Sequence, residues 1–470
     1  MRLCKWLTLK KTKEPILSSD SGGMWKYLIA FDGTEDLHAQ VALATFISKQ
    51  NTQGARGHSP ASVPWSRAVQ PPMVTLSDIQ AARKVLQRVA RETPVFSSTY
   101  LTEVLSSQVV LKAENLQRTG AFKFRGATNR VAKLGAAARH GVVAGSAGNH
   151  AQALALAARN AKIPCEIFVP FGASLAKVDA CRTYGAIVHE GGDSLDTAVE
   201  RALQRSSETG ATFCHPFDDV DVIAGQGTLG LELVEQIPDL RTIVIPLGGG
   251  GLAAGTAIAV KSQLPNVRVV GVQVAACSPY VTGVSPIGPI QTLADGIAVK
   301  KPGIVTGPLI KQWLDDILVV QEDSVGEAMT LLLERSKLLV EGGGAVGVAA
   351  LIAGLLPTIT SGTTCIVLSG GNMDLSTLSG LVRRFETRRG RRAVLLVRIS
   401  DRPGGLAGLL SVVANAGANV IDLEHLRDGV DLHVRETAVN LVLEVKNSEH
   451  CTHVVSELEQ AGYAVKKLSD

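Results

Sequence analysis

Arg241-Thr-Ile-Val-Ile-Pro-Leu-Gly-Gly-Gly-Gly-Leu-Ala-Ala-Gly-Thr-Ala-Ile-Ala-Val-Lys261 is the stretch on which the reading of the fold turns. Arg241–Pro246 is a continuous β-branched run, the pattern of a strand covered on both faces. Gly251–Gln263 is Ala-rich and reads as a helix. Between them stand four consecutive glycines, Gly248 to Gly251. Without Cβ atoms the backbone can approach an anion closely, and the helix beginning near Leu252 points its positive end at the same place. No Gly-Lys-Ser/Thr follows, so this is not a P-loop. It reads as a phosphate cradle at the carboxyl end of a buried strand.

The same alternation extends in both directions. Val109–Ala113, Gly141–Gly145, Glu166–Val169, Ala186–His189, Val267–Val274 and Thr364–Ser369 read as strands. Gly126–Ala138, Asn149–Ala161, Ala173–Tyr184, Leu195–Ser207, Gly225–Gln236 and Ser324–Leu339 read as helices. Strand–helix alternation of this kind implies parallel sheets with helices on both faces. Ser77 or Asp78 is expected to cap a first helix running to about Ala90. The run Arg383 to Arg392 (RRFETRRGRR) reads as a solvated helix end and hinge. After it come a strand, a helix, two strands, a helix and a strand between Ala393 and Leu468, the order of the ferredoxin-like unit.

Composition narrows the function classes. Lys plus Arg number 47 and Asp plus Glu 43, a net charge of +4. That balance gives no sign of a nucleic-acid partner. The longest apolar stretch, roughly Val346 to Ile359, falls short of the ~20 residues of a spanning helix and reads as a core helix. Seven scattered cysteines without a C-x-x-C pair read as reduced cytosolic thiols. Residues 1–72 hold three of the four tryptophans and end in a Ser/Gly/Pro/Gln-rich stretch. They read as a poorly ordered extension, with an ordinary cytosolic start at Met73.

Three further segments carry chemistry. In Glu114-Asn-Leu-Gln-Arg-Thr-Gly-Ala-Phe-Lys-Phe-Arg-Gly-Ala127, Lys123 sits between two phenylalanines. Desolvation there would lower its pKa and free the amine for Schiff-base chemistry. Gly145-Ser-Ala-Gly-Asn-His-Ala-Gln152 joins a strand to a helix and offers N–H groups, Ser146, Asn149 and His150 to a carboxylate. Leu368-Ser-Gly-Gly-Asn372 places a serine hydroxyl at another strand end. Taken singly, the lysine segment and the serine turn are ordinary.

Together, in this order, the four pieces resemble the pyridoxal-phosphate enzymes of the tryptophan-synthase-β fold, specifically the threonine and serine dehydratases. The resemblance spans roughly Met73 to Arg384, and His215–Asp219, Ile223–Gly227 and Thr292–Ala298 also look like that family. The terminal unit resembles an ACT domain, an amino-acid-binding regulatory module. The whole from Met73 looks like the medium-length, single-ACT threonine ammonia-lyases.

The resemblance implies an α/β fold of type II, with two parallel-rich subdomains followed by a βαββαβ module. Domains are expected at 73–384 (catalytic, the smaller subdomain about 126–220), 385–392 (charged linker) and 393–470 (ACT-like). The implied cofactor is pyridoxal 5'-phosphate. Lys123 would hold it and act as base at Cα, and Phe122 would pack on the ring. Gly248, Gly249, Gly250, Gly251 and Leu252 would bind its phosphate. Asn149 would meet the ring hydroxyl, and Ser369 the ring nitrogen. Ser146, Ala147, Gly148, Asn149 and His150 would hold the substrate carboxylate. In the terminal module, Asp401, Gly404 and Gly405 are expected to bind an amino-acid effector such as isoleucine.

The expected reaction converts L-threonine to 2-oxobutanoate and ammonia, with L-serine as a second substrate, in a cytoplasmic homo-oligomer (dimer or tetramer) and without a membrane. Three departures qualify it. Ala121 replaces a serine common among relatives. Ala147 replaces the second serine of relatives that racemise serine, which argues against racemisation. Gln273 stands where some relatives carry a metal-binding Glu, so no metal is expected. A cysteine-synthase-like enzyme would show Ser-Val-Lys-Asp-Arg around the lysine. A silent amino-acid sensor would need neither Lys123 nor the glycine run.

Overall fold

In the computed structural model, residues 74–358, 361–427 and 432–468 are described. The expected extension, residues 1–72, and the start at Met73 lie outside them. The first helix is Leu76–Leu86. Its cap is Thr75, ahead of the expected Ser77 or Asp78. Asp78 instead returns its carboxylate to the Thr75 N–H at 2.9 Å while the Thr75 hydroxyl accepts from the Asp78 N–H, a capping box.

Three sheets follow. The first has six strands in the order β1 (Val95–Ser97), β2 (Val109–Ala113), β10 (Thr363–Leu368), β7 (Leu240–Pro246), β8 (Arg268–Val274) and β9 (Asp316–Val320). Only β1 runs antiparallel to its neighbour. The second has four parallel strands in the order β5 (Ile187–Glu190), β4 (Cys165–Val169), β3 (Val142–Gly145) and β6 (Thr212–Phe213). The central strands β2 and β10 are buried throughout, which is why they read as unbroken apolar runs. The short edge strand β1, with β6, β9 and the helices Thr99–Leu105 and Thr306–Trp313, had no strong periodicity in the sequence.

The third sheet is antiparallel, ordered β12 (Asn419–Leu426), β13 (Glu436–Glu444), β11 (Arg392–Ser400) and β14 (Ala464–Lys467). Helices Gly405–Asn415 and Ser448–Gln460 supply Leu409, Val413, Val454 and Leu458 to a core with Leu395, Val397 and Leu441. This is the ferredoxin-like arrangement the element order implied. Among the described residues no helix is long and apolar enough to cross a membrane.

The structure corrects several boundaries. The helix expected from Gly126 begins at Lys123 and ends at Ala132, and the one expected from Gly225 begins at Val220. Both glycines mark close packing, not helix starts. A Cβ on Gly126 would lie 2.8 Å from the Val222 carbonyl, and one on Gly225 would lie 2.7 Å from that of Arg125. On the other side of helix Val220–Gln236, a Cβ on Gly227 would lie 2.8 Å from the Gly255 carbonyl. Three helices therefore meet backbone to backbone.

The expected linker 385–392 is mostly regular structure. Helix Leu375–Arg388 runs through it and Arg392 already opens β11. Its arginines are held, since Arg384 and Arg388 pair with Asp323 and Arg389 pairs with Glu327. The helix expected over 324–339 is Glu322–Leu331 with a wider π turn to Ser336, ended by left-handed Lys337. The expected core helix is Gly342–Ile352 and stops before Gly354, whose φ is 68°.

Candidate active site

The site is built where parallel strands end. Beyond β2 lies the segment leading to Lys123, beyond β3 lies Ser146–His150, beyond β7 the glycine run, and beyond β10 Ser369–Asn372. Carboxyl ends of parallel strands are the usual place for a ligand in such sheets.

Lys123 opens its helix, and its ammonium donates to the Pro216 carbonyl at 2.7 Å. Burial lowers the amine from the usual lysine range to about 8, against the opposing influence of the Glu341 charge. Phe122 packs on the large apolar core, with its ring centroid 5.1 Å from the Lys123 nitrogen. The Phe122 N–H donates to the Ser369 carbonyl at 3.0 Å, and the Gly371 N–H to that of Gly120 at 2.9 Å. The lysine segment and the serine turn are thus stitched together. Ser369 is 3% exposed, and its hydroxyl has no hydrogen-bond partner among the described residues.

The four glycines each have a steric reason. A Cβ on Gly248 would lie 2.8 Å from Ile297 Cα, one on Gly249 would collide with the Phe217 ring, and one on Gly251 would lie 3.0 Å from the Phe217 carbonyl. Gly250 has φ +90°, where a Cβ would also meet the Tyr280 hydroxyl. Packing alone is therefore a sufficient reason for the run. The stronger indication of an anion is electrostatic. Gly248, Gly249 and Gly250 are buried, yet their N–H groups have no acceptor among the described residues. The Gly249 carbonyl accepts from Thr306 Oγ1 at 2.7 Å, so the trans peptide directs the Gly250 N–H the opposite way. With the first-turn N–H groups of helix Gly251–Lys261, which include those of Gly251 and Leu252, this makes an anion cradle.

The turn opposite is fixed by His215, whose Nδ1 accepts from the Asp218 N–H at 2.8 Å. That turn brings Pro216 to Lys123 and Phe217 to the glycines. Asp218 in turn accepts N–H groups from Ile304, Val305 and Thr306 at 2.8–2.9 Å. Gln273 ties the cradle from below, donating to the Leu247 carbonyl and accepting from the Tyr280 N–H.

Sequence reasoning missed Glu341. It is 6% exposed and accepts from Asn149 Nδ2 at 2.7 Å. Burial raises its carboxyl to about 7, with the Asp295 charge acting in the same direction. Asn149 is held at its other end by Asn372, whose amide donates to Asn149 Oδ1 at 2.8 Å. The signal for Glu341 was the run Glu341-Gly-Gly-Gly344 before an apolar helix. A Cβ on Gly370 would collide with the Glu341 carboxylate.

The Ser146–His150 loop departs from expectation at one residue. His150 is buried, and its Nε2–H donates to the Cys214 carbonyl at 2.9 Å. Burial lowers its ring to about 3, so it is neutral, and its proton is committed to the backbone rather than to a substrate carboxylate. Ser146 Oγ accepts from the Gly148 N–H, and Ala147 packs on the small-sheet core. A Cβ on Gly148 would meet nothing within 4 Å, so no protein packing demands a glycine there. In the terminal module Asp401 pairs with Arg427 at 3.1 Å, and the Gly405 N–H donates to the Arg402 carbonyl. The Asp401 N–H likewise donates to the Arg435 carbonyl at 2.9 Å, so neither amide is free in this turn. Gly404 caps the helix at φ +90° with open space where its Cβ would stand.

These features fit pyridoxal phosphate. A depressed lysine amine, an unsatisfied amide cradle and an unpartnered serine hydroxyl match its aldehyde, phosphate and ring nitrogen. The family model for "Pyridoxal-phosphate dependent enzyme" matches residues 86–370. An L-threonine ammonia-lyase of Thermotoga maritima is 41% identical over 400 residues, covering 84% of this chain and 99% of its own. The processed form of threonine deaminase isoform 2 from Solanum lycopersicum superimposes with a TM-score of 0.62 at 32% identity, over 69% of this chain and 93% of its own. Maize serine racemase gives a TM-score of 0.62 at 33% identity, over 67% of this chain and 99% of its own. By site geometry, family match and relatedness alike, this chain belongs to the pyridoxal-phosphate-dependent enzymes.

Proposed function

We propose that this chain is a threonine ammonia-lyase, converting L-threonine to 2-oxobutanoate and ammonia, with L-serine as a second substrate giving pyruvate and ammonia. The observation that carries the reading is the depressed amine of Lys123 beside the unsatisfied amides of Gly248–Gly250. The 41% identity to the Thermotoga maritima L-threonine ammonia-lyase, over nearly its whole length, supports the substrate.

When bound, the cofactor supplies an electron sink that makes the substrate Cα–H acidic. The Lys123 amine would take that proton; burial lowers it to about 8, so a larger share is free base near neutral pH than in an ordinary lysine. The amides of Gly248–Leu252 would fix the phosphate, and Phe122 would back the ring. Ser369 would offer a neutral hydroxyl to the ring nitrogen, which would limit the sink and favour prompt loss of the β-hydroxyl. Asn149, held between Glu341 and Asn372, would meet the ring hydroxyl. Backbone N–H groups of the Ser146–His150 loop hold the substrate carboxylate. Ala147 provides no proton donor for the opposite face, which weighs against the racemase reading.

We further assign residues 393–470 as a regulatory module that takes a branched-chain amino acid at the turn containing Asp401, Gly404 and Gly405 in a homo-oligomer. The setting is the cytoplasm, in isoleucine formation or threonine breakdown. The test is release of 2-oxo acid and ammonia from L-threonine and L-serine by the full chain with pyridoxal phosphate, with and without isoleucine and valine. Absence of 2-oxo acid from either substrate, in a chain that has captured the cofactor, rules the activity out.

A further inference from the structure

Asn372, Asn149 and Glu341 form a chain of hydrogen bonds whose polarity is set at one end. Asn372 Nδ2 donates to the Thr119 carbonyl at 2.6 Å and to Asn149 Oδ1 at 2.8 Å. Asn149 Nδ2 donates onward to Glu341 Oε1 at 2.7 Å. The oxygen and nitrogen of a side-chain amide have nearly the same shape, so packing alone does not choose between them. A backbone carbonyl does choose, because it only accepts. The atom of Asn372 beside Thr119 is therefore its nitrogen. The second hydrogen of that nitrogen needs an acceptor, so Asn149 turns its oxygen that way. The Asn149 nitrogen is left on the other side. One of its hydrogens goes to Glu341, and the other has no acceptor among the described residues.

The carbonyl that sets this order belongs to a strained residue. Thr119 has φ 63° and ψ 8°, the left-handed region that a β-branched residue rarely enters. Gly120 follows it at φ 71°. A Cβ there would lie 2.5 Å from Asn372 Oδ1, so the missing side chain leaves room for the amide. The Gly371 N–H donates to the Gly120 carbonyl at 2.9 Å, which ties this turn to the segment carrying Asn372.

We propose that Asn372 is a positioning residue for the cofactor, fixing the Asn149 amide so that it presents a hydrogen, and not a lone pair, to the ring hydroxyl oxygen. With the amide reversed, Asn149 Oδ1 would face both that oxygen and Glu341 Oε1, acceptor against acceptor. Asn372 shares its turn with Ser369. One turn would thus serve the ring nitrogen directly and the ring hydroxyl through Asn149.

This role rests on the reading that Asn149 meets the ring hydroxyl, and the test separates the two. Pyridoxal phosphate is titrated into the full chain, and its capture is followed by absorption, without turnover. Asn149→Ala should weaken capture about tenfold, the loss of one charge-assisted hydrogen bond. Asn372→Ala should weaken it severalfold and change the bound cofactor's spectrum in the same sense, because both variants lose the donor to the ring oxygen. Loss of packing alone would leave the parent's spectrum. In an Asn149→Ala background, Asn372→Ala should change the affinity by less than about twofold, since the amide it acts through is gone. Asn372→Asp keeps the shape and removes both donors. It should weaken capture at least as far as alanine, and it carries the test if the alanine variant does not fold. Parental affinity in Asn149→Ala removes the ring-hydroxyl reading and this proposal with it. Where Asn149→Ala does weaken capture, parental affinity in the Asn372 variants, or a loss that persists undiminished beside Asn149→Ala, overturns this proposal alone.

Discussion

Two sets of ion pairs, made from the same residue types, sit in opposite surroundings. Beneath the helix that starts at Lys123, Arg125 reaches Glu114 at 2.8 Å and Glu232 at 2.5 Å, and Lys112 reaches Glu232 at 2.6 Å, with every side chain at most 9% exposed. Along helix Leu375–Arg388, the pairs to Asp323 and Glu327 have side chains 46–65% exposed. Water can replace a partner in the second set and cannot in the first. The buried set therefore fixes one geometry two residues from the Lys123 amine, at a desolvation cost that its mutual bonds offset. The exposed set holds a helix in place loosely enough to be adjusted.

Predictions that test this contrast run from complete loss to a barely measurable change. Lys123 is the amine of the buried region whose hydrogen bond goes to a carbonyl and not a carboxylate. Lys123→Ala should abolish both cofactor capture and 2-oxo acid formation, with the thermal transition retained; turnover surviving in this variant would end the assignment of the lysine.

Arg125→Ala should destabilise by about 3–5 kcal/mol, because Glu114 and Glu232 lose a buried counter-charge. Urea unfolding measures it, and a loss below about 1 kcal/mol would erase the distinction between the two sets.

Glu341→Gln separates charge from shape. Glu341 has a folded pKa raised to about 7, so its protonation favours folding below about 4.5, and that contribution is lost as pH rises through about 7. The variant should lack this loss, gaining stability relative to the parent between pH 5 and 8 (roughly the window set by those values). Removing its charge should also move the Lys123 midpoint for cofactor capture below about 8. An unmoved midpoint would mean that the two groups are not coupled.

The smallest effect is expected at the surface. Arg388→Ala should cost about 0–1 kcal/mol and vanish in high salt, since exposed pairs are screened.

What the sequence made legible follows the same division. The central strands of both parallel sheets were readable because burial on two faces writes them as apolar runs, and β7 was readable together with the glycine turn and helix that follow it. Segments whose meaning depends on distant partners were not readable. Gly126 and Gly225 looked like helix starts, because their partners lie about 100 residues away on each other's helices. Glu341 is defined by Asn149, 192 residues earlier. His150 looked like a free donor until the Cys214 carbonyl was seen to claim its proton. The arginine run from Arg383 was legible as a solvated helix end, but its acidic partners, some 60 residues upstream, were not.

The glycine crossing has a consequence for how far this enzyme can be altered. Side chains can rotate to absorb an error in a neighbour, but two backbones in contact cannot. Gly126 lies three residues after Lys123 on the same helix. A methyl group there has to be accommodated by shifting the whole helix away from Val220–Gln236, and the amine at its start would travel with it. Alignment of the amine with the glycine cradle is therefore set by the absence of atoms at Gly126 and Gly225, positions outside the site itself. Design or drift that begins by adding a carbon at either of them would detune the chemistry without touching a residue that performs it.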